Sequence, residues 1–518
     1  MARRSLWLRS SATATTNPVL YLSLVLMTVA SASADRSHPT FEFDLHHRLS
    51  DPVKALLPFD DFPEEGSLHY YAAMAHRDRA IHGRRLAVSN GSTALTFSGT
   101  NQTIRLSSLG FLHYVNISVG TPRRSFLVAL DTGSDLFWLP CDCTTCVSGL
   151  KTLSGAVINL NIYSPEDSSS SGYVSCTDSL CSRTAYCSST TNICPFEVQY
   201  LSESTGSAGY LVNDELHMVK VSSNATSVTA RITFGCGKQL SGAFLESGAP
   251  NGLFGLGMSS ISVPSTLARE GYVYDSFSMC FGPRGIGKII FGDAGSLNQT
   301  ETPFNRVRSH PSYNISVTQL SVGGKNLDLS FSAIFDSGTS FTYLTDPTYS
   351  TIASKYDSMV TYDRINSSDI LNLPFKYCYA IPSNANDFEF FPLVLTMDGG
   401  GLYNVSKPIL VLTSQGIYVG YCLAIIKSDS IDIIGQNFME GYRIVFDRVR
   451  DVLGWKAGNC SEDVRSITVN APASSQTPPA SAMNQNRNAA AASSSASDFG
   501  RLLPVISLWL LGELILFF

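Results

Sequence analysis

"ALDTGSDLFWL" at residues 129–139 recurs without gaps at 334–344 as "IFDSGTSFTYL". The matched pairs are Asp131/Asp336, Thr132/Ser337, Gly133/Gly338, Ser134/Thr339, Trp138/Tyr343 and Leu139/Leu344. Each copy sets one carboxylate inside an apolar run, where burial costs several kcal/mol unless the group is paired or protonated. Each copy is also followed by an apolar-apolar-Gly motif, "LFG" at 253–255 and "IIG" at 433–435. A lone Asp-Thr-Gly is a weak signal, since an Asx-turn or helix cap accounts for it. Two copies in matched frames predict two similar lobes, each offering one aspartate on a glycine turn.

Placed together between the lobes, two such carboxylates cannot both ionise cheaply, so they share a proton. The ionised member acts as general base on a water held between them, and the protonated member donates to a carbonyl oxygen. Gly133 and Gly338 let the backbone approach closely and aim amide donors at the carboxylates. Thr132 and Ser337 brace the two turns through their hydroxyls, and Ser134 and Thr339 are placed to orient the carboxylates.

The surrounding sequence is strand-rich. "FLHYVNISVG" (111–120), "RSFLVALDTG" (124–133), "GYLVNDELHMVKV" (209–221), "TARITFGCG" (229–237) and "GKIIFGD" (287–293) are β-branched and aromatic runs broken by Gly, Asn or Asp. "SVPSTLAREG" (262–271) is one of few helical signals. The fold class is therefore all-β and bilobal. With 15% charged residues and a net charge of −6, the chain offers no electrostatic case for nucleic acid.

Both ends read as address signals. Arg3, Arg4 and Arg9 precede the apolar run "VLYLSLVLMTVA" (19–30) and an A-x-A site at Ala32–Ala34, the pattern of a secretory signal peptide. The end, "LLPVISLWLLGELILFF" (502–518), is short for a membrane span, contains Glu513 and follows a polar Ala/Ser-rich stretch. Small residues, a polar spacer and an apolar terminus form a glycosylphosphatidylinositol (GPI) signal, with Asn488 as attachment candidate. The expected divisions are signal peptide 1–34, prosegment and linker 35–100 (processing near 85–100), first lobe 101–305, second lobe 306–465, linker 466–501 and tail 502–518. In 35–100, "SLHYYAAMAHRDRAIHGRR" (67–85) is helix-compatible and carries a basic cluster through Arg77, Arg79, Arg84 and Arg85.

Twelve cysteines fit an oxidising compartment. "CDCTTC" and "CSSTTNIC" are read as disulfide partners rather than zinc ligands, so no metal and no cofactor is expected. Seven cysteines lie in 141–194 and five from Cys236 onward. Both counts are odd, so full pairing needs a bridge between the groups. Nine N-x-S/T sites follow the signal peptide: Asn90, Asn101, Asn116, Asn224, Asn298, Asn314, Asn366, Asn404 and Asn459.

"DTGSDLFWLPC", "FGCG", "NGLFGLG", "FDSGTS" and "IIGQNF" together resemble the pepsin-type aspartic proteases. Over about residues 105–460 the chain is similar to their plant nepenthesin-like branch, with a cysteine-rich insertion in the first lobe, and to its aspartyl protease family protein 1 group. The resemblance implies catalytic Asp131 and Asp336 and a long cleft for an extended polypeptide. It also implies a flap hairpin carrying a tyrosine, here Tyr200 in "FEVQYLSESTGSAGYLV" (196–212), with Trp138 as hydroxyl partner. Leu201 departs from the Tyr-Gly of many members. Family likeness further suggests bridges Cys378–Cys422 and Cys280–Cys460 and one from the early cluster to Cys236. It makes 35–100 a cleft-covering segment, whose basic cluster pairs with acidic cleft residues and loosens as carboxylates protonate. The expected protein is a monomeric endopeptidase acting on polypeptides, GPI-anchored outside the plasma membrane. The alternative is a catalytically silent peptide-binding or inhibitor protein on the same fold.

Overall fold

The computed structural model describes residues 39–50, 53, 63–82, 94–96, 103–105, 112–151, 157–188, 190–200, 205–221, 226–245, 248–282, 285–306, 311–365, 373–382, 388–414, 417–458 and 460. All belong to the unit Met1–Asn470. The architecture is bilobal and mostly β.

Strands form where apolar residues alternate with polar ones and so give one wet and one buried face. In Phe41–His47 the side chains of Phe41, Phe43 and Leu45 turn inward while Asp44 faces out. In Asn314–Val322, Ile315, Val317, Leu320 and Val322 are buried, the switch of phase coming at an irregularity between Val317 and Gln319. The long hairpin Gly206–Lys220 with Ser227–Ser241 carries the first lobe, and Asn314–Val322 is central to the second.

The two aspartates ride on the same local topology. Arg124–Asp131 runs parallel to Leu253–Gly255, with Gly255 opposite Asp131. Leu253–Gly255 also meets the chain beyond the aspartate turn, with Leu253 opposite Trp138. In the second lobe Phe331–Phe335 runs parallel to Ile433–Ile434, and Ile433 lies opposite Tyr343. The "LFG" and "IIG" motifs are thus short strands threaded behind each turn. The glycines close each motif because nothing larger fits. A Cβ on Gly255 would sit 2.3 Å from the Asp135 carbonyl, and one on Gly435 2.2 Å from that of Phe341.

A run of strands joins the lobes in the order Phe41–His47, Ile286–Phe291, Ser276–Phe281, Tyr442–Asp447, Val452–Ala457 and Thr300–Pro303. Its first member comes from the segment expected to be a prosegment, and it pairs with Ile286–Phe291 over six residues. That segment also supplies the helix Leu68–His82, capped by Ser67, whose hydroxyl accepts from the Tyr70 amide at 3.1 Å. Ala72, Met74 and Ala75 of this helix pack on Phe341, Phe375, Leu410 and Leu412 of the second lobe.

Candidate active site

Asp131 and Asp336 meet at the bottom of the interlobe cleft, each less than a tenth exposed. The Gly133 amide donates to Asp131 Oδ1 at 2.9 Å and the Gly338 amide to Asp336 Oδ1 at 2.8 Å. A Cβ on Gly338 would lie 3.0 Å from Asp336 Oδ1 and 3.2 Å from Asp131 Oδ1, so both carboxylates converge on this turn. Thr132 and Ser337 tie the turns together. The Ser337 amide donates to Thr132 Oγ1 at 3.1 Å, and the two hydroxyls are 3.4 Å apart.

The symmetry fails at the next pair. Thr339 Oγ1 donates to Asp336 Oδ2 at 2.5 Å. Ser134 Oγ is buried and close to both Asp131 and Tyr200, yet makes no hydrogen bond of normal geometry. The Asp131 carboxyl is pushed up to about 6, first by burial and then by the Asp336 charge. Ser134, the Gly133 amide and the Arg77 cation pull the other way. Burial and a like charge together raise a carboxyl in this manner.

Trp138 Nε1 donates to Tyr200 Oη at 2.9 Å, and the Phe244 ring packs against both at 4.9 and 5.1 Å. Tyr200 ends the hairpin of Pro195–Gln199 with Gly206–Lys220; residues 201–204, Leu201 among them, lie outside the described residues. A cleft of about 720 Å³ opens beside the aspartates, lined also by Phe196, Tyr200, Leu211 and Ile261. The lining mixes these side chains with Asp135, Arg183, Glu197 and Gln199, and a cleft of this size that ends on two carboxylates has room for an extended polypeptide.

The helix Leu68–His82 enters the second-lobe side of this site. Asp78 is fully buried, and its carboxylate accepts from the amides of Ser340 and Phe341, from Ser340 Oγ at 2.6 Å and from Tyr343 Oη at 3.2 Å. Arg77 donates to Asp78 at 2.9 Å and to the Gly338 carbonyl at 2.6 Å. The contact is thus an acidic residue seated on second-lobe donors, with Arg77 lying over the catalytic-type turn. Arg84 and Arg85 lie outside the described residues, and nothing is described of the Arg79 side chain. Sequence reasoning missed Asp78, because an aspartate between two arginines on a helix reads as a solvated charge pattern.

All twelve cysteines are bridged: Cys141–Cys236, Cys143–Cys146, Cys176–Cys187, Cys181–Cys194, Cys280–Cys460 and Cys378–Cys422. The three cysteines of "CDCTTC" are thus disulfide partners, and among the described residues no His/Cys/Asp/Glu group is arranged for a metal ion. Cys181–Cys194 pins the insertion to the base of the flap hairpin. Of the glycosylation candidates, Asn116, Asn298 and Asn404 are exposed. Asn314 is half-buried and accepts from Asn305 at 2.8 Å. Asn90, Asn101, Asn224, Asn366, Asn459 and the attachment candidate Asn488 lie outside the described residues. Among the described residues no helix is long and apolar enough to cross a membrane.

Residues 113–293 match the family model described as xylanase inhibitor N-terminal, and residues 312–457 the model described as xylanase inhibitor C-terminal. Aspartyl protease family protein 1 of Arabidopsis thaliana is 50% identical over 471 residues, 90% of this chain and 91% of that one. Aspartic proteinase nepenthesin-1 of Nepenthes gracilis is 27% identical over 85% of this chain and 98% of its own. The solved basic 7S globulin from soybean superposes with a TM-score of 0.51 at 20% identity, covering 67% of this chain and 92% of its own, a likeness of fold. With half its residues shared across nine tenths of a named aspartyl protease, and two carboxylates converging between its lobes, the chain belongs to the plant pepsin-like aspartic proteases.

Proposed function

We propose that the chain is the precursor of an aspartic endopeptidase tethered outside the plasma membrane, with Asp131 and Asp336 as its catalytic pair. The observation that carries the reading is the convergence of the two carboxylates on turns tied by Thr132 and Ser337. With one proton shared, the ionised carboxyl takes a proton from water while the other donates to the peptide carbonyl oxygen. Water adds to the carbonyl carbon without a covalent enzyme intermediate, and the tetrahedral species collapses as the amide nitrogen is protonated. Tyr200, held by Trp138, closes over the substrate from the first lobe. Residues 35–100 are the prosegment, whose helix covers the second-lobe side until processing near 85–100.

Cleavage of a peptide library by processed protein from pH 3 to 7, with and without pepstatin, tests the chemistry. Asp131→Asn is expected to abolish turnover; unchanged activity in that variant would sink the mechanism. The membrane reading draws on the polar stretch and apolar tail (471–518) and on the signal peptide. Treating intact cells with a phosphatidylinositol-specific phospholipase is expected to free the protein, and full retention counts against the anchor. Mass spectrometry of the released protein is expected to find glycans at the exposed sequons Asn116, Asn298 and Asn404.

A further inference from the structure

Two buried histidines face each other where segment 39–82 meets the first lobe. His47 ends the strand Phe41–His47, His113 begins His113–Val119, and the two are register partners across that boundary. Their ring centroids are 5.3 Å apart, and they are only 5% and 2% exposed. Among the described residues no carboxylate acts on either ring. Arg48 follows His47, Arg77 faces both rings from the helix, and Lys407 approaches His47 from the second lobe. Tyr70 of the helix lies 6.4 Å from the His47 ring, and Phe281 closes His113 at 5.1 Å. The acidic groups around the cluster are otherwise engaged. Asp78 is bonded to Arg77 and to Ser340 and Phe341; Glu440 pairs with Lys407; Glu65 lies toward Tyr70 and Tyr71.

The hydrogen bonding also suits neutral rings only. His47 Nδ1 accepts from the Leu49 amide at 3.3 Å, a bond that a proton on that nitrogen removes. His113 Nδ1 is buried with no acceptor in reach, and so is Arg48 Nε. Gly285 lies against the His47 Cβ, where an added Cβ would come within 2.3 Å, and both residues line a cavity of about 480 Å³.

We propose that His47 and His113 form the acid latch of the precursor, and that protonating this pair, rather than cleft carboxylates, loosens segment 39–82 from the enzyme. The idea rests on reading that segment as the prosegment. Burial, the facing histidine and the Arg48, Arg77 and Lys407 cations hold His47 well below the imidazole range. Burial and Arg77 hold His113 at about 3. The released rings regain about 6.5, so the docked state binds fewer protons than the released state. Docking is therefore at full strength above about pH 6.5 and weakens as pH falls, by up to about tenfold per pH unit for each histidine. By pH 5 the pair accounts for a loss on the order of a thousandfold, before carboxylates of ordinary pKa near 4 contribute.

The test is hydrogen exchange of 41–47 and 68–82 in the full-length secreted chain between pH 7.5 and 4.5, corrected for intrinsic rates. An Asp131→Asn background prevents self-processing and removes the carboxyl that titrates near 6. Protection in both segments is expected to fall on the order of a thousandfold between pH 7 and 5. With His47→Gln and His113→Gln together it is expected to change less than about tenfold. Loss of protection at the same pH with and without the histidines overturns the latch, as does full protection of the parent at pH 5. Exchange in the second-lobe strand Phe331–Phe335 reports whether a variant has folded. Should the double variant fail there, His113→Gln alone is expected to halve the logarithmic pH dependence, and an unaltered dependence overturns the latch. An active species whose N-terminus precedes Phe41 overturns the prosegment reading instead, whatever the exchange shows.

Discussion

Asp131 and Asp336 occupy near-equal frames but are braced unequally, and the difference is measurable. Thr339 gives Asp336 a hydrogen bond to a charged group, a contact worth about 1.5–3 kcal/mol, while Ser134 gives Asp131 none of normal geometry. Thr339→Ala is expected to lower kcat/KM on a peptide substrate by about 10- to 100-fold, and Ser134→Ala by less than about threefold. Equal losses would contradict the asymmetry. The pH profile follows from the Asp131 carboxyl at about 6. Turnover needs one proton on the pair, so kcat/KM falls as pH rises through that value. The proposed processing would remove Arg77, a cation that holds the value down, so the alkaline limb of the mature enzyme is expected at or above pH 6. A limb below pH 5 refutes this. Stability has the same sign: the folded carboxyl binds its proton more tightly than the unfolded one, so the cost of burying Asp131 is absent in acid and grows as pH rises from about 4 toward 6. The pair itself was legible in the sequence because each Asp-Thr/Ser-Gly frame is local. Asp78 was not, because its donors at Ser340 and Phe341 lie 262 and 263 residues away.

At the level of strands, each aspartate turn depends on a short strand that threads behind it and ends in glycine. Gly435→Ala places a methyl carbon 2.2 Å from the Phe341 oxygen and 3.0 Å from that of Thr339, both backbone atoms of the turn that holds Asp336. Overpacking of a site that cannot yield costs about 3 kcal/mol or more, and here the strain falls on the Asp336 turn. Gly435→Ala is therefore expected to lose secretion or to unfold well before the parent on heating. Gly458→Ala, with open space around it, is the matched control. Similar unfolding temperatures for the two would show that the turn relaxes. Alternation predicted the strands of the first lobe closely, because period-2 burial is written in consecutive residues. It missed Phe41–His47. "FEFDLHH" alternates, but it lies in the charged segment 35–100, read as a prosegment apart from the strand-rich lobes, and its partners at 286–291 are distant in sequence. Tyr200 and its partner Trp138 were legible through the family likeness, although the indole that donates to the Tyr200 hydroxyl is 62 residues away.

For the whole molecule, the decisive question is what holds the lobes at the spacing the two aspartates need. Tyr442–Asp447, from the second-lobe part of the chain, pairs with Ser276–Phe281, from the first-lobe part. Beneath this junction Arg443 reaches Asp293 through two hydrogen bonds, one from Nε at 2.9 Å and one from the terminal nitrogen. Asp293 is fully buried and Arg443 nearly so, and the Gly295 amide and Ser278 hydroxyl also donate to the carboxylate. A buried pair of this kind adds little net stability, since desolvation offsets the attraction, but removing one partner strands the other at about 3–5 kcal/mol. Asp293→Ala is therefore expected to destabilise the full-length chain by about that amount in denaturant unfolding at pH 7. Adding Arg443→Met to it is expected to restore part of the loss, because no buried cation is then left unpaired. The recovery stays partial, since Ser278 and Gly295 still lose their acceptor. If the double variant is as unstable as the sum of the singles, the two groups do not act as a pair, and the lobes are held by the strand ladder alone.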